Sequence, residues 1–525
     1  MKTNPRTTNT SFAPFRRRAA IGAAAAAVCT AMALGGIVSA AHAADAAGID
    51  DIVLLVGADE SQRVVNWYAS AATAQVVQVA PTAAVVDGEF PADALDVPAV
   101  VSANTVNGGF NGHAVISGLS ENVEYSYRVG GDGDWSEPYT FTTRKFEGNF
   151  DFLFFGDPQI GSSGNVPLDQ AGWEDTLGVA VAANPEAELL VSGGDQVETA
   201  NVETQWKAFL APDQLREVPW VSTIGNHDVG GKAYEQHLWT PNTDRSPQFY
   251  RSSSLTTQSG GDYWFEYKDT LFIDINSNAY RTSGAAGVDA DEAHIEYITD
   301  VIEEHGADAK HTVLVYHHAI YSPAAHADDG DAQERRRDFP TAFSELGVDL
   351  VLQGHDHSYS RSYLVKNGEK ANPDEQPGAS SVFQGPGGVV YVTSNSASGS
   401  KYYDLSDPIV GSDFGPDPLN PDNHWANSVE NQEHVRSYIK VSVRDEHLTV
   451  ENIRSGTCEA PNAAVELGRV DWCGPDEGAT AAQPVGSIVD QVVIHKSQTP
   501  GGAHRKNTGA PVTTNQGSTT ITTLN

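Results

Sequence analysis

Between residues 150 and 393 the chain alternates apolar, β-branched-rich runs with amphipathic patterns of helical period. The runs cover 150–155, 187–192, 218–224, 271–275, 311–316, 348–352 and 389–393; helical patterns occupy 169–183, 202–215, 289–305 and 338–346. Strand–helix alternation of this kind specifies an α/β layered fold. In such folds ligands gather in the loops beyond the carboxyl ends of the strands. Five of the runs stop at just such a place, on a short polar segment. These are Gly156-Asp157-Pro158-Gln159, Gly194-Asp195-Gln196-Val197-Glu198, Gly225-Asn226-His227-Asp228, His317-His318 and Gly354-His355-Asp356-His357.

The preceding region reads differently. Short apolar runs at 52–56, 64–68, 75–80, 113–118, 123–129 and 139–143 are separated by Gly, Pro, Asn and Asp, with no helical period between them. That is the pattern of a small antiparallel sandwich, placed at 48–144. A charged stretch, 144–148, links it to the α/β part at 149–455. Runs at 435–443 and 448–453 predict a closing hairpin, and 487–495 one more strand. Tyr402 and Tyr403, after a Gly/Ser-rich loop, read as buried hairpin aromatics rather than as pocket wall. Residues 497–525, rich in Thr, Gly, Asn and Ser, predict a disordered tail.

Three arginines at 16–18 precede an Ala-rich apolar run, and Ala41-His42-Ala43 fits a small-residue cleavage site. Residues 1–43 therefore read as an export signal, by the general or the twin-arginine route. A retained anchor is the competing reading, since the run is long enough to span a bilayer. Cleavage would remove five basic and no acidic residues, taking the formal charge from −37 to −42. Such a surface repels polyanions, which argues against nucleic-acid partners, and nothing beyond residue 43 calls for a membrane. In an exported chain Cys458 and Cys473, with 14 residues between them, predict a disulfide stapling the extension at 456–496. Closing such a loop is worth roughly 3 kcal/mol.

The polar segments carry the chemistry. One Asp after a strand is ordinarily a helix cap. Five segments rich in Asp, Asn and His donors instead suit two adjacent cations, which need a bridging carboxylate and oxygen or imidazole ligands. Their order, Gly-Asp-x-x, Gly-Asp-x-x-x, Gly-Asn-His-Asp, His and Gly-His-x-His, resembles that of the calcineurin-like metallophosphoesterases. With the preceding sandwich, whose residues 119–129 look like a fibronectin type III strand and corner and whose Trp67 reads as the core aromatic, the chain is most similar to the purple acid phosphatase branch.

The resemblance covers roughly residues 51–455. It implies a four-layer β-sandwich core flanked by helices, and a secreted hydrolase of small phosphate monoesters. One metal would be held by Asp157, Asp195 and His357, the other by Asp195, Asn226, His317 and His355, with Asp195 as the bridge. The metals would be Mn, Zn or Fe. His317 rather than His318 is chosen because Tyr321 lies four residues on, as the family's His-x-x-x-aromatic segment requires. His318 remains the alternative ligand, or a substrate contact. His227 would face the substrate and assist the leaving oxygen, with Glu198 and Asp228 beside it in the catalytic set. His326 matches a substrate-facing His of plant members; a solvated loop His is the competing reading.

Two positions depart from the branch. Its members carry a Tyr three residues after the bridging Asp, whose phenolate on ferric iron gives the colour; this chain has Glu198 there, which predicts a colourless protein. Glu198 either orients His227 or binds metal directly. Gln159 stands where the wider family often has a metal-binding His, and either supplies an amide oxygen to a metal or stays outside its ligands. The implied mechanism is in-line attack by a hydroxide that the two cations, about 3.5–4 Å apart, generate from shared water. A phosphodiesterase or nucleotidase on the same site is the nearest alternative, and a surface-binding protein with a relic metal fold a more distant one.

Overall fold

Successive side chains of a strand point to opposite faces, and Phe150–Phe155 uses both. Phe150, Phe152 and Phe154 enter a core shared with Val191, Phe272, Val313 and Leu352. Leu153 and Phe155 enter a second core with Trp173, Leu177 and Trp206. The first core lies where two sheets meet face to face; the second lies where helices cover one of them. A third core does the same for the other sheet, packing Ile273, Leu314 and Val351 against Ile298, Phe339 and Phe343. The layers are helix, sheet, sheet, helix. This computed structural model describes residues 48–131, 133–250, 259–281 and 288–496; the export signal at 1–43 and the tail at 497–525 lie outside them.

Within one sheet Phe150–Phe155, Ala187–Ser192 and Trp220–Val221 run parallel. In the other, Thr270–Asp274, His311–Val315, Leu350–Gln353 and Val390–Thr393 do the same. The hairpin Ser437–Arg444 and His447–Arg454 closes the first sheet against Phe150–Phe155, with Ile488–His495 beyond it.

The N-terminal region is a two-sheet sandwich around Trp67, Tyr127 and Val129. Its strand Ile49–Val56 also pairs in parallel with Trp220–Val221, Leu55 opposite Trp220. The result is one sheet of eleven strands running through both regions. Val53 and Leu55 face the α/β core, while Ile52 and Leu54 face the sandwich core.

Several elements differ from the sequence expectation for evident reasons. The helix expected over 202–215 is two pieces, Glu203–Phe209 and Gln214–Glu217, because Pro212 cannot donate within a helix. Gly330–Leu346 starts eight residues before position 338 and runs through Pro340, ending at Gly347 with φ 77°. The run at 218–224 is strand only at Trp220–Val221, since its remaining residues lead into the site loop. Tyr402 and Tyr403 lie in irregular backbone, not a hairpin. Cys458 and Cys473 are bonded, with Cα atoms 5.7 Å apart. Among the described residues no helix is long and apolar enough to cross a membrane.

Candidate metal centre

The loops at the strand ends hold their ligands by strained backbone and by missing side chains. Asp157, Gln159, Asp195, His355 and His357 all have positive φ, between 31° and 77°. That conformation is costly for residues other than Gly and tends to occur at functional sites. The left-handed turn thus falls on the ligand residue itself. Gly225 and Gly354 serve another purpose. A Cβ on Gly225 would strike the Asp195 carboxylate, and one on Gly354 would strike the Asp157 carboxylate. Each of these glycines makes room for a ligand from a different loop.

Four groups converge on the ring of His317. Its Nδ1 lies 2.8 Å from the Gly193 carbonyl. A carbonyl only accepts, so Nδ1 carries the hydrogen and Nε2 faces the site. Around Nε2 stand Asn226 Oδ1 at 3.0 Å, His355 Nδ1 at 3.2 Å and Asp195 Oδ2 at 3.3 Å. Burial would drive the ring neutral, yet the Asp195 carboxylate, with Asp157 behind it, pushes His317 up to about 10. Burial raises Asp195, but His317 and then His227 pull it well below the usual carboxylate range. In this arrangement a proton on Nε2 supplies the positive charge that a divalent ion among the same four atoms would supply.

Beside this cluster lies a looser one. His357 Nδ1 donates to the Lys401 carbonyl at 3.0 Å, and its Nε2 is 3.8 Å from Asp157 Oδ1. Both Asp157 oxygens accept from the His355 backbone N–H, at 2.8 and 3.0 Å. Burial and then the Lys401 ammonium push His357 down to about 3, which leaves its imidazole neutral and able to coordinate. Burial, reinforced by Asp195, holds Asp157 well above the usual range although His317 opposes it. Gln159 Nε2 donates to Glu198 Oε2 at 2.9 Å, while its buried Oε1 has no partner. Buried carboxylates without enough positive charge, beside an orphaned amide oxygen, fit a pair of oxygen- and imidazole-ligated cations.

The remaining residues sort by contact. His227 Nδ1 donates to the backbone carbonyl of Glu198 at 2.8 Å, with the Glu198 carboxylate at 3.7 Å. It is therefore the main chain of residue 198 that makes the close contact orienting this ring. The His227 backbone N–H donates to Asp195 Oδ1 at 2.8 Å. Asp228, grouped with the catalytic residues on sequence grounds, is fully buried. Its carboxylate accepts from the backbone N–H groups of Gly225, Gln196 and Val197, at 2.9, 3.3 and 3.3 Å. It ties the Asp195 loop to the Asn226 loop and is a positioning residue.

His318 exchanges a 2.8 Å hydrogen bond between Nδ1 and Ser277 Oγ, its ring 4.6 Å from that of His355. His326 stacks on His355 at 4.0 Å and bonds Asp329 at 2.8 Å.

Sequence reasoning set one wall aside, reading Tyr403 as a buried hairpin aromatic. The Tyr403 ring meets His357 at 5.5 Å and His326 at 5.4 Å, both edge to face, and the Lys401 ammonium lies 4.4 Å above it. Gln432 holds this loop, donating to the carbonyls of His357 and Tyr403 at 2.8 and 2.6 Å. Such a contact between distant residues leaves no local signal.

Two family models match this chain: the purple acid phosphatase N-terminal domain over residues 49–143, and the calcineurin-like phosphoesterase over residues 150–359. Purple acid phosphatase 1 of Ipomoea batatas is 26% identical over 262 residues, 49% of this chain and 52% of that protein. Purple acid phosphatase 22 of Arabidopsis thaliana is 22% identical over 275 residues, 50% and 55% of the two. This chain thus spans about half the length of the curated relatives it matches. Among solved structures, purple acid phosphatase PPD1 from yellow lupin seeds superposes with a TM-score of 0.62 at 15% identity, over 86% of this chain and 75% of that one. A structure of PhoD gives 0.53 at 13% identity, over 85% and 90%. At such identities the likeness is one of fold.

Residues 150–359 thus carry a calcineurin-like phosphoesterase domain, preceded at residues 49–143 by a purple acid phosphatase N-terminal domain, and the two relatives named above are purple acid phosphatases.

Proposed function

We propose that this protein is a secreted, dinuclear metal-dependent phosphatase acting on small phosphate monoesters. The observation that carries the reading is the convergence of Asp195, Asn226 and His355 on His317 Nε2 within 3.0–3.3 Å, next to Asp157 and His357. His317 and His355 with Asn226 would hold one cation, Asp157 and His357 the other, and Asp195 would share its carboxylate between them. Oxygen and imidazole donors without thiolate suit Mn, Zn or ferrous iron. Held by these residues, two cations would supply a nucleophile from water at neutral pH and neutralise charge on the phosphoryl oxygens.

The chain's own residues do the rest. His227, anchored through Nδ1 and 28% exposed, offers Nε2 as proton donor to the departing alkoxide. His326, Tyr403 and Lys401 border the site beside His355 and His357, where the Lys401 ammonium attracts the dianionic ester in a chain of net charge −37. Gln159 completes the Asp157 half through its amide oxygen, and Glu198 steers that amide by accepting its N–H. With Glu198 where the coloured branch has Tyr, an iron form would lack the phenolate charge-transfer band. The Cys458–Cys473 bond supports export to an oxidising compartment.

Elemental analysis of protein purified without added metal, joined to aryl phosphate mono- and diesters as substrates, tests the proposal. Occupancy of the paired site with faster monoester turnover is expected. Protein that holds no metal, cannot be reconstituted and hydrolyses neither ester would overturn it.

A further inference from the structure

Away from the paired site, three residues from distant parts of the chain meet where the N-terminal sheet joins the α/β part. Asp51 sits at the bulge of Ile49–Val56, Glu203 opens the helix Glu203–Phe209, and His237 ends the helix Ala233–His237. One ligand atom from each lies within 4.8 Å of the others. We propose that Asp51, Glu203 and His237 bind one further divalent cation, of the Zn²⁺ or Mn²⁺ class, pinning the N-terminal sandwich to the catalytic part.

The convergence alone would be a polar cluster; two buried orphan atoms point to a ligand. His237 is 1% exposed, with Nε2 on Glu203 Oε2 at 2.8 Å and Nδ1 without any partner. The amide of Asn66, 2% exposed, donates to the His237 carbonyl at 3.2 Å and leaves its own Oδ1 without a donor. A buried acceptor without a donor is costly, and the two on and next to His237 call for a donor or a cation.

Burial raises Glu203, but His237 holds it below the usual carboxylate range, which leaves Asp51 the carboxylate short of charge. Lys207 pairs with Asp50, the neighbour of Asp51, and Glu203 Oε1 receives only a 3.4 Å contact from Asn104 Nδ2. Burial raises Asp51 to about 6 against the pull of His237, as expected of a carboxylate short of positive charge. Two carboxylates and an imidazole match the hard-to-borderline donor set of Zn²⁺ and Mn²⁺. Trp206 stacks on the ring at 5.2 Å and fixes its plane.

This site does not depend on the phosphatase reading. Full-length protein would be stripped with chelator, equilibrated with saturating Zn²⁺ alone, freed of unbound ion, and assayed for zinc per chain. The wild type should carry one equivalent more than either Asp51→Asn or Glu203→Gln, with ester hydrolysis unchanged in both variants. Equal zinc content in all three would overturn the proposal and leave water as the partner of the orphan atoms. Should a variant fail to fold, crystals of the wild type grown with Zn²⁺ decide instead: an anomalous peak beside His237 supports the site, and none there overturns it.

Discussion

The two halves of the candidate metal centre are built to different standards. Around His317 Nε2 three ligand atoms already stand at 3.0–3.3 Å, the ring locked by the Gly193 carbonyl. In the other half His357 Nε2 and Asp157 Oδ1 are 3.8 Å apart, and Gln159 turns its amide N–H toward Glu198. The difference lies in placement, since each half has an amide oxygen and an imidazole held by a backbone carbonyl. The donors of the first already stand around one nitrogen, whereas the Gln159 oxygen of the second is aimed only by what its own N–H holds. The first half is therefore expected to bind metal tightly, the second to exchange it.

The most severe way to break this contrast is to remove what the halves share. Asp195→Asn should cost both cations and bring ester hydrolysis to background, read by elemental analysis and steady-state rates. Removing one ligand from each half should separate them. His317→Ala should abolish the tight site, whereas Gln159→Leu should weaken only the exchangeable one, by about 10–100-fold in metal affinity, as titration of stripped protein would measure.

His227→Ala tests the residue that belongs to neither half. Metal content should stay intact while kcat falls by about 10²–10⁴-fold, most for alkyl esters with poor leaving groups. The smallest effect is expected at Lys401→Gln, whose ammonium acts on the anionic substrate through space: KM should rise several-fold on the scale of one lost charge contact, with metal content and kcat little changed.

What the sequence disclosed follows the same divide. Strand–helix alternation revealed the layers, because burial on both faces makes stretches such as 152–155 apolar throughout. The ligand loops were legible because four of the five pair a Gly with polar residues after such a run, and the fifth sets His317-His318 there. The reason for the glycines was not: Gly225 and Gly354 clear space for carboxylates of other loops, a contact between residues distant in sequence.

The fused sheet was likewise hidden, since it rests on the short strand Trp220–Val221 and a single register pair, Leu55 with Trp220. Tyr403 was read as a hairpin aromatic and Lys401 went unread because their loop has no period and is held by Gln432, about thirty residues on. Asp228 read as catalytic from its place after Asn226 and His227; only the backbone N–H groups around it revealed a brace.

The central claim is that the carboxylate of residue 195 joins two cations. Electron paramagnetic resonance of protein reconstituted with Mn²⁺ reads it directly, because ions sharing a ligand couple their spins. A coupled multiline signal in the wild type that vanishes in Asp195→Asn is the predicted result. Spectra of isolated ions alone, identical in both proteins at full occupancy, would contradict it.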